Sequence, residues 1–285
     1  MISVVTPSFR QLDWLRLAIA SVADQEGVES EHIVQDGGTD GIAESLRIHF
    51  GDLIADRRLQ VFVEKDAGMY DAVNRGLRRA RGEICAYLNC DEQYLPDALH
   101  TVEQFFDQHP TTDVLFGDAI LVDAGGVPVS YRRAIRPTLA HLRLADLNTL
   151  TCATFFSRRL VQAGHLFPTH LKIAGDQLWI FELLKAGAKM AVLPRPLSIF
   201  TFTGSNLSQN EQAAAEKFGW LPGDERPRRW ATPLVVGWHR LRKFRAGAYR
   251  RRNVEMDIYT RQNPQHRTRV AAQRVGFQWP SSPNA

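Results

Sequence analysis

Over the first 90 residues, short apolar runs alternate with stretches of helical periodicity. Ile2 to Thr6 is apolar and β-branched up to Pro7, the pattern of a buried strand. Leu15, Ile19 and Val22 then recur at helical spacing. His32 to Gln35 is a second short strand, closed by Asp36-Gly37-Gly38, and Ile42 to Phe50 reads as a helix. Leu59 to Val63 is a third strand. Tyr70, Val73, Leu77 and Ala80 mark one face of another helix, stopped by Gly82, and Ile84 to Leu88 is a fourth strand ending at Asn89-Cys90-Asp91-Glu92.

Strands alternating with helices predict βαβ units and a mostly parallel sheet. Such sheets bind ligands beyond the carboxyl ends of their strands. The polar clusters at 6–10, 36–40, 64–68 and 89–92 all follow predicted strands. No Gly-x-Gly-x-x-Gly loop follows the first strand and no phosphate-cradling Lys loop occurs, which argues against an ordinary dinucleotide or ATP site. After residue 112 the pattern is less regular. Val114 to Phe116 and Val127 to Tyr131 read as strands around a Gly125-Gly126 turn, and Thr151 to Phe156 is an apolar stretch. Asp176 opens a helix through Ala186, with Gly187 as its C-terminal cap.

With 285 residues, 44% of them apolar, the chain can build a sizeable core. No stretch approaches the roughly 18 apolar residues of a membrane span. Met1 to Arg10 lacks a basic leader followed by an apolar run, so no signal peptide is expected. Cys85, Cys90 and Cys152 are odd in number and lack zinc spacing, which fits a reduced, cytoplasmic compartment. The net charge of +4 hides an asymmetry: from Pro222 onward there are 14 Lys and Arg against 4 Asp and Glu, a net of +10, leaving −6 for the rest. The acidic part then needs a cation or a local basic site to hold an anionic substrate, while the basic part suits a negatively charged surface.

Five pieces in order and spacing give the chain a resemblance. They are Val4-Val5-Thr6-Pro7-Ser8-Phe9, Val34-Gln35-Asp36-Gly37-Gly38-Thr39-Asp40-Gly41, Asp66-Ala67-Gly68-Met69-Tyr70-Asp71-Ala72-Val73-Asn74-Arg75-Gly76, Leu88-Asn89-Cys90-Asp91-Glu92 and Ala174-Gly175-Asp176. Over about 200 residues the sequence resembles glycosyltransferase family 2, and within it the enzymes that build bacterial cell-surface polysaccharides or glycolipids. The resemblance implies an inverting enzyme of the GT-A fold, a Rossmann-like three-layer αβα core. It implies a nucleotide-sugar domain over 1–210, with a donor-binding half at 1–111 and an acceptor-binding half at 112–210, followed by a basic helical extension at 211–285. Donor contacts fall on Thr6, Pro7, Phe9, Asp36, Asp66, Asn89 and Asp91.

Asp36 matches the residue that accepts the N3–H of a uracil-type base, which implies a UDP-linked donor; a turn-forming Asp satisfying its own loop is the alternative. Asp91 matches the last Asp of an Asp-x-Asp motif and is the expected ligand of Mg²⁺ or Mn²⁺, which offsets charge on a leaving diphosphate. Asn89 replaces the first acidic residue of that motif, and Glu92 adds a carboxylate next door. Asp176 matches the catalytic base that takes the proton of the attacking acceptor hydroxyl; Asp is also a preferred helix cap. Asn74 is expected to tie neighbouring loops rather than touch sugar. Thr151-Cys152 stands where relatives often carry His-Gln, and Arg10 where many carry Asn.

In the tail, Thr232-Pro233 is a good helix start. Leu234, Trp238, Leu241 and Ala248 fall near one face with Phe244 beside them, while Arg240, Arg242, Lys243, Arg245 and Arg250 to Arg252 crowd the rest. A basic amphipathic helix with Trp and Phe reads as a binder of anionic membrane at the inner face, which would suit a saccharide acceptor carried on lipid. Packing on the catalytic domain, or on a second copy in a homodimer, is the other reading. A nucleic-acid partner is not expected: Trp230, Trp238 and Phe244 are too scattered for stacking, and the reading leaves Asp36, Asp91 and Asp176 without a role. A nucleotidyltransferase would need a Gly- and Lys/Arg-rich loop after the first strand. A catalytically weak relative serving as a partner subunit is the reading that Asn89 invites.

Overall fold

The structure is a computed structural model that describes residues 1–145, 147–204, 206, 216, 219, 221 and 232–280. The division expected at 210/211, and Trp230, lie outside the described residues.

The first half follows the predicted alternation: β1 (Ile2–Ser8), α1 (Leu12–Ala23), β2 (Ser30–Asp36), α2 (Ile42–Ala55), β3 (Leu59–Val63), α3 (Met69–Arg79) and β4 (Ile84–Tyr87). Every residue of β1 is buried, as expected of a strand covered on both faces. Successive side chains point to opposite sides. Val4 joins a core with Ala18, Val22, Leu99 and Val102, and Val5 joins another with Tyr70, Val73, Leu77 and Trp179. Helix α3 can lie close on β1 because a side chain at Gly76 would collide with Val5.

The second half continues with β5 (Glu92–Tyr94), α4 (Ala98–Gln108), β6 (Val114–Asp123), β7 (Pro128–Arg132), α5 (Leu139–Leu142), β8 (Thr154–Ser157), α6 (Arg158–Gln162), α7 (Gly175–Lys185) and β9 (Met190–Phe202). One nine-stranded sheet results, in the order β3-β2-β1-β4-β8-β6-β9-β5 with β7 beside β6. Strands β1 to β4, β6 and β9 run one way; β5, β7 and β8 oppose them. The mostly parallel α/β sheet is therefore as expected, with antiparallel insertions confined to the second half. Gly187 caps α7 at φ +82.

The expected helical extension is corrected. Helix α8 (Thr232–Arg245) is present, but β10 (Arg252–Ile258) and β11 (Thr268–Val275) follow it as an antiparallel pair. Val254, Met256, Ile258 and Val275 share a core with Ile120, Val122, Tyr131 and Ile199 of the main sheet. Gln93 and Tyr259 exchange two hydrogen bonds of 2.9 Å. The hairpin thus belongs to the body of the molecule. Among the described residues no helix is long and apolar enough to cross a membrane.

Candidate active site

The carboxyl ends of β1 and β4, the loop after β3 and the start of α7 enclose a cavity of about 480 Å³. Six of the expected residues line it: Pro7, Phe9, Asp66, Asn89, Asp91 and Asp176. Two do not. Thr6 is fully buried, and its hydroxyl is 2.8 Å from His32 Nε2. Asp36 is fully buried too; Oδ1 accepts from the amides of Gly38 and Thr39, and Oδ2 from the Thr39 hydroxyl. The carboxylate closes its own turn, as in the loop-shaping alternative for Asp36.

Asp66 stands in front of that turn, its carboxylate next to Gly37, where a side chain would meet it. Oδ1 accepts from Gly68 N at 2.9 Å. Burial raises its pKa, and the charges of Asp71 and Asp36 add to the rise. Phe9 is 52% exposed at the cavity, with the Arg10 guanidinium 4.9 Å above its ring.

Asp91 and Glu92 are neighbours with different surroundings. Asp91 lines the cavity and accepts from Asn206 Nδ2 at 3.2 Å. Glu92 turns back: Oε2 accepts from Asn89 N at 2.8 Å, while Oε1 is buried without a hydrogen bond among the described residues. Burial raises both pKa values, and Asp91 raises that of Glu92 further. Among the described residues no cluster of three His, Cys, Asp or Glu is placed to hold a metal. One carboxylate facing a cavity nevertheless fits Mg²⁺ or Mn²⁺, which take one or two carboxylates and complete their shell with phosphate and water oxygens.

Asp176 occupies the first turn of α7 and lines the same cavity. The helix cap is Ala174, without a side-chain bond, so Asp176 does not serve as N-cap. Its Oδ1 accepts from Gln177 N at 2.8 Å. Tyr70 holds this turn: its hydroxyl accepts from Asp176 N at 3.1 Å and donates to the Ile173 carbonyl at 2.9 Å. Gly175 is needed beneath, because a side chain there would run into the Tyr70 ring. Asn74 ties loops as expected, bonding the Phe167 carbonyl at 2.8 Å and the Phe167 amide at 2.9 Å.

Sequence reasoning missed Tyr70, Lys172, Phe200, Asn206 and Trp279 as cavity residues. Lys172 is the only basic residue among the described residues lining it. Trp279 arrives from the far end of the chain and packs on Phe200 and Phe202. The one signal for it was a Trp next to Pro280 in a polar terminus.

Residues 3–159, more than half the chain, match the profile described as Glycosyl transferase family 2. The chain belongs to glycosyltransferase family 2. This transferase is 25% identical over 218 residues to the Bacillus subtilis protein named for teichuronic acid biosynthesis, TuaG, covering 76% of its own length and 85% of the other's. The crystal structure of S. aureus TarS 1-349 in complex with UDP-GlcNAc resembles it with a TM-score of 0.60 at 22% identity, over 86% of this chain and 72% of that one. The Pyrobaculum calidifontis mannosyltransferase PcManGT in complex with GDP-Man and Mn²⁺ gives 0.54 at 17% identity, over 87% and 73%. In a further TarS 1-349 structure the matched part is 60% of that chain. At these identities the structural likeness is one of fold, the GT-A arrangement.

Proposed function

We propose that the protein is an inverting glycosyltransferase that moves a sugar from a UDP-linked donor to a hydroxyl acceptor in cell-surface polysaccharide or glycolipid synthesis. The observation that carries the reading is the cavity itself, with Asp91 from the donor half and Asp176 from the second half on one wall system. The name of the Bacillus relative and the UDP-GlcNAc bound to TarS support the substrate class.

In this reading Asp66 faces the base or ribose, and Asp36 keeps the loop behind it in shape. Asp91 and Asn89 would hold Mg²⁺ or Mn²⁺; the complex of PcManGT with GDP-Man and Mn²⁺ supports a divalent cation. The cation, when bound, offsets negative charge on the departing diphosphate. Lys172 contributes a positive side chain to the same cavity. Asp176 accepts the proton of the acceptor hydroxyl as its oxygen attacks the anomeric carbon. The carbon–oxygen bond to the diphosphate breaks in the same displacement, which inverts the configuration. The site works on the cytoplasmic side, where the three cysteines stay reduced; all three are free and buried.

A nucleotide panel read by thermal shift tests the donor site. UDP should raise the melting midpoint, more so with Mn²⁺ or Mg²⁺, because a ligand that binds only the native state stabilises it. Asp91→Ala should remove the metal-dependent part and leave the rest. No shift with any nucleotide and either metal sinks the reading of this cavity as the donor site.

A further inference from the structure

Helix α8 has a buried side and a bare one. On the buried side, His239 stacks on His141 of α5 and lies 3.0 Å from Asn148 Nδ2. Arg242 donates to the Arg136 carbonyl, and Arg133 donates to the Ala246 carbonyl. On the bare side, Leu234 is 70% exposed, Trp238 56%, Leu241 38% and Phe244 72%. Nine large hydrophobic side chains are exposed among the described residues, and four of them stand on this one helix. Scattered apolar residues on a surface need no explanation, but a contiguous group marks a contact.

At about 100° per residue the four side chains span an arc of about 120°. Arg245 lies inside the arc and Arg240 about 40° beyond its edge, both exposed, and exposed Arg250 and Arg251 follow the helix. No acidic residue occurs in α8. A flat band of Leu, Trp and Phe bordered by arginines matches the boundary of a bilayer, where apolar side chains enter the acyl edge and guanidinium groups meet phosphates. A two-fold dimer through this face would bury Arg245 among the apolar side chains with no acidic residue on the facing copy of α8 to pair it. A nucleic acid would satisfy the arginines and leave Leu234 and Phe244 in water.

We propose that the exposed face of α8 docks the protein on an anionic lipid bilayer, lying in the headgroup layer. The seat of α8 connects this surface to the reaction cavity. Helix α5, which receives His239, is tied to α7 by Gln177, whose Nε2 donates to the carbonyls of Leu142 and Ala145 at 3.3 and 3.2 Å. Gln177 follows Asp176 directly, so contiguous contacts join the docking face to the wall of the cavity; a role for them in the transfer rests on the proposed function, the docking does not.

Co-sedimentation of the full chain with vesicles tests the docking. Vesicles of phosphatidylglycerol and phosphatidylcholine in equal parts should bind the protein at low ionic strength and release it at high ionic strength, because screening shortens the attraction. Vesicles of phosphatidylcholine alone should bind weakly. Removing both Arg240 and Arg245 as alanines should weaken partition about 25-fold, since each basic residue near an anionic surface contributes about fivefold. Trp238→Ser with Phe244→Ser should weaken it by at least about tenfold through lost apolar insertion. All four positions are solvent-facing, so the melting midpoint should stay within a degree or two of the parent, which circular dichroism checks. Three results overturn the proposal: no binding to the anionic vesicles at low ionic strength, binding that neither variant weakens, or a solution dimer that Trp238→Ser splits.

Discussion

Asp176 and Tyr70 show how a single residue acquires a role from its neighbours. The Tyr70 hydroxyl fixes the backbone of the turn that carries Asp176, so the carboxylate keeps its place when its charge changes. Asp176→Asn preserves size and fold; turnover should fall by about 10² to 10⁴, the usual cost of losing a positioned base. Donor affinity, read by thermal shift with UDP and metal, should stay unchanged, and turnover within a few-fold of the parent would remove Asp176 from the mechanism. His32 carries a different consequence. Burial pushes its pKa down from 6.5 to about 3, so the unfolded chain takes up a proton that the native one refuses. Its contribution is complete above pH 6.5 and is lost as pH falls toward 3, by up to about 1.4 kcal/mol per pH unit. His32→Gln removes that loss, so the gap in melting midpoint between parent and variant should narrow from pH 7 to pH 5. A constant gap would show that His32 titrates normally within the fold.

Elements meet at positions where glycine or proline decides the geometry. Helix α7 approaches α3 because Gly175 leaves room for the Tyr70 ring. Gly175→Ala should cost about 1 to 3 kcal/mol by overpacking and should lower turnover more than stability, since the displaced ring is the one that holds Asp176. A variant with a lowered melting midpoint and full turnover would separate the turn from the chemistry. Strand β9 illustrates the opposite case. Leu193 pairs with Gly117 and Pro196 with Asp118, so Pro194 and Arg195 bulge out of the ladder, exposed. Prolines ordinarily argue against a central strand; the bulge lets β9 keep its pairing on both sides of them.

The whole molecule is closed by its last third. Arg267 bridges the hairpin to the first half of the chain: it pairs with Asp24 at 2.6 Å and donates to the Tyr94 carbonyl at 3.0 Å and the Asp257 carbonyl at 2.9 Å. The Tyr259 hydroxyl reaches Asp24 as well, at 2.8 Å. Arg267→Ala removes these bonds, leaves Asp24 with the Tyr259 hydroxyl but no cation, and should cost about 2 kcal/mol, visible as a lower urea midpoint with one cooperative transition. Two separate transitions would mean that the hairpin folds as a unit of its own.

Local periodicity determined the first half: β1 to β4, their helices and the strand-end clusters stand where the alternation of apolar runs put them. Asp91 and Asp176, which the family resemblance singled out, both line the cavity, because strand ends and a helix start meet there in such sheets. Which carboxylate faces the cavity was not, since neighbouring residues differ only in direction: Asp91 looks in while Glu92 turns back on Asn89, and Asp36 closes its turn while Asp66 stands open. The hairpin left a faint trace, Val254, Met256 and Ile258 alternating with Asn253, Glu255 and Asp257. Trp279 and Asn206 reach the cavity only through long-range closure of the sheet and hairpin. Such contacts depend on pairings far apart in the chain, and tertiary packing alone sets them.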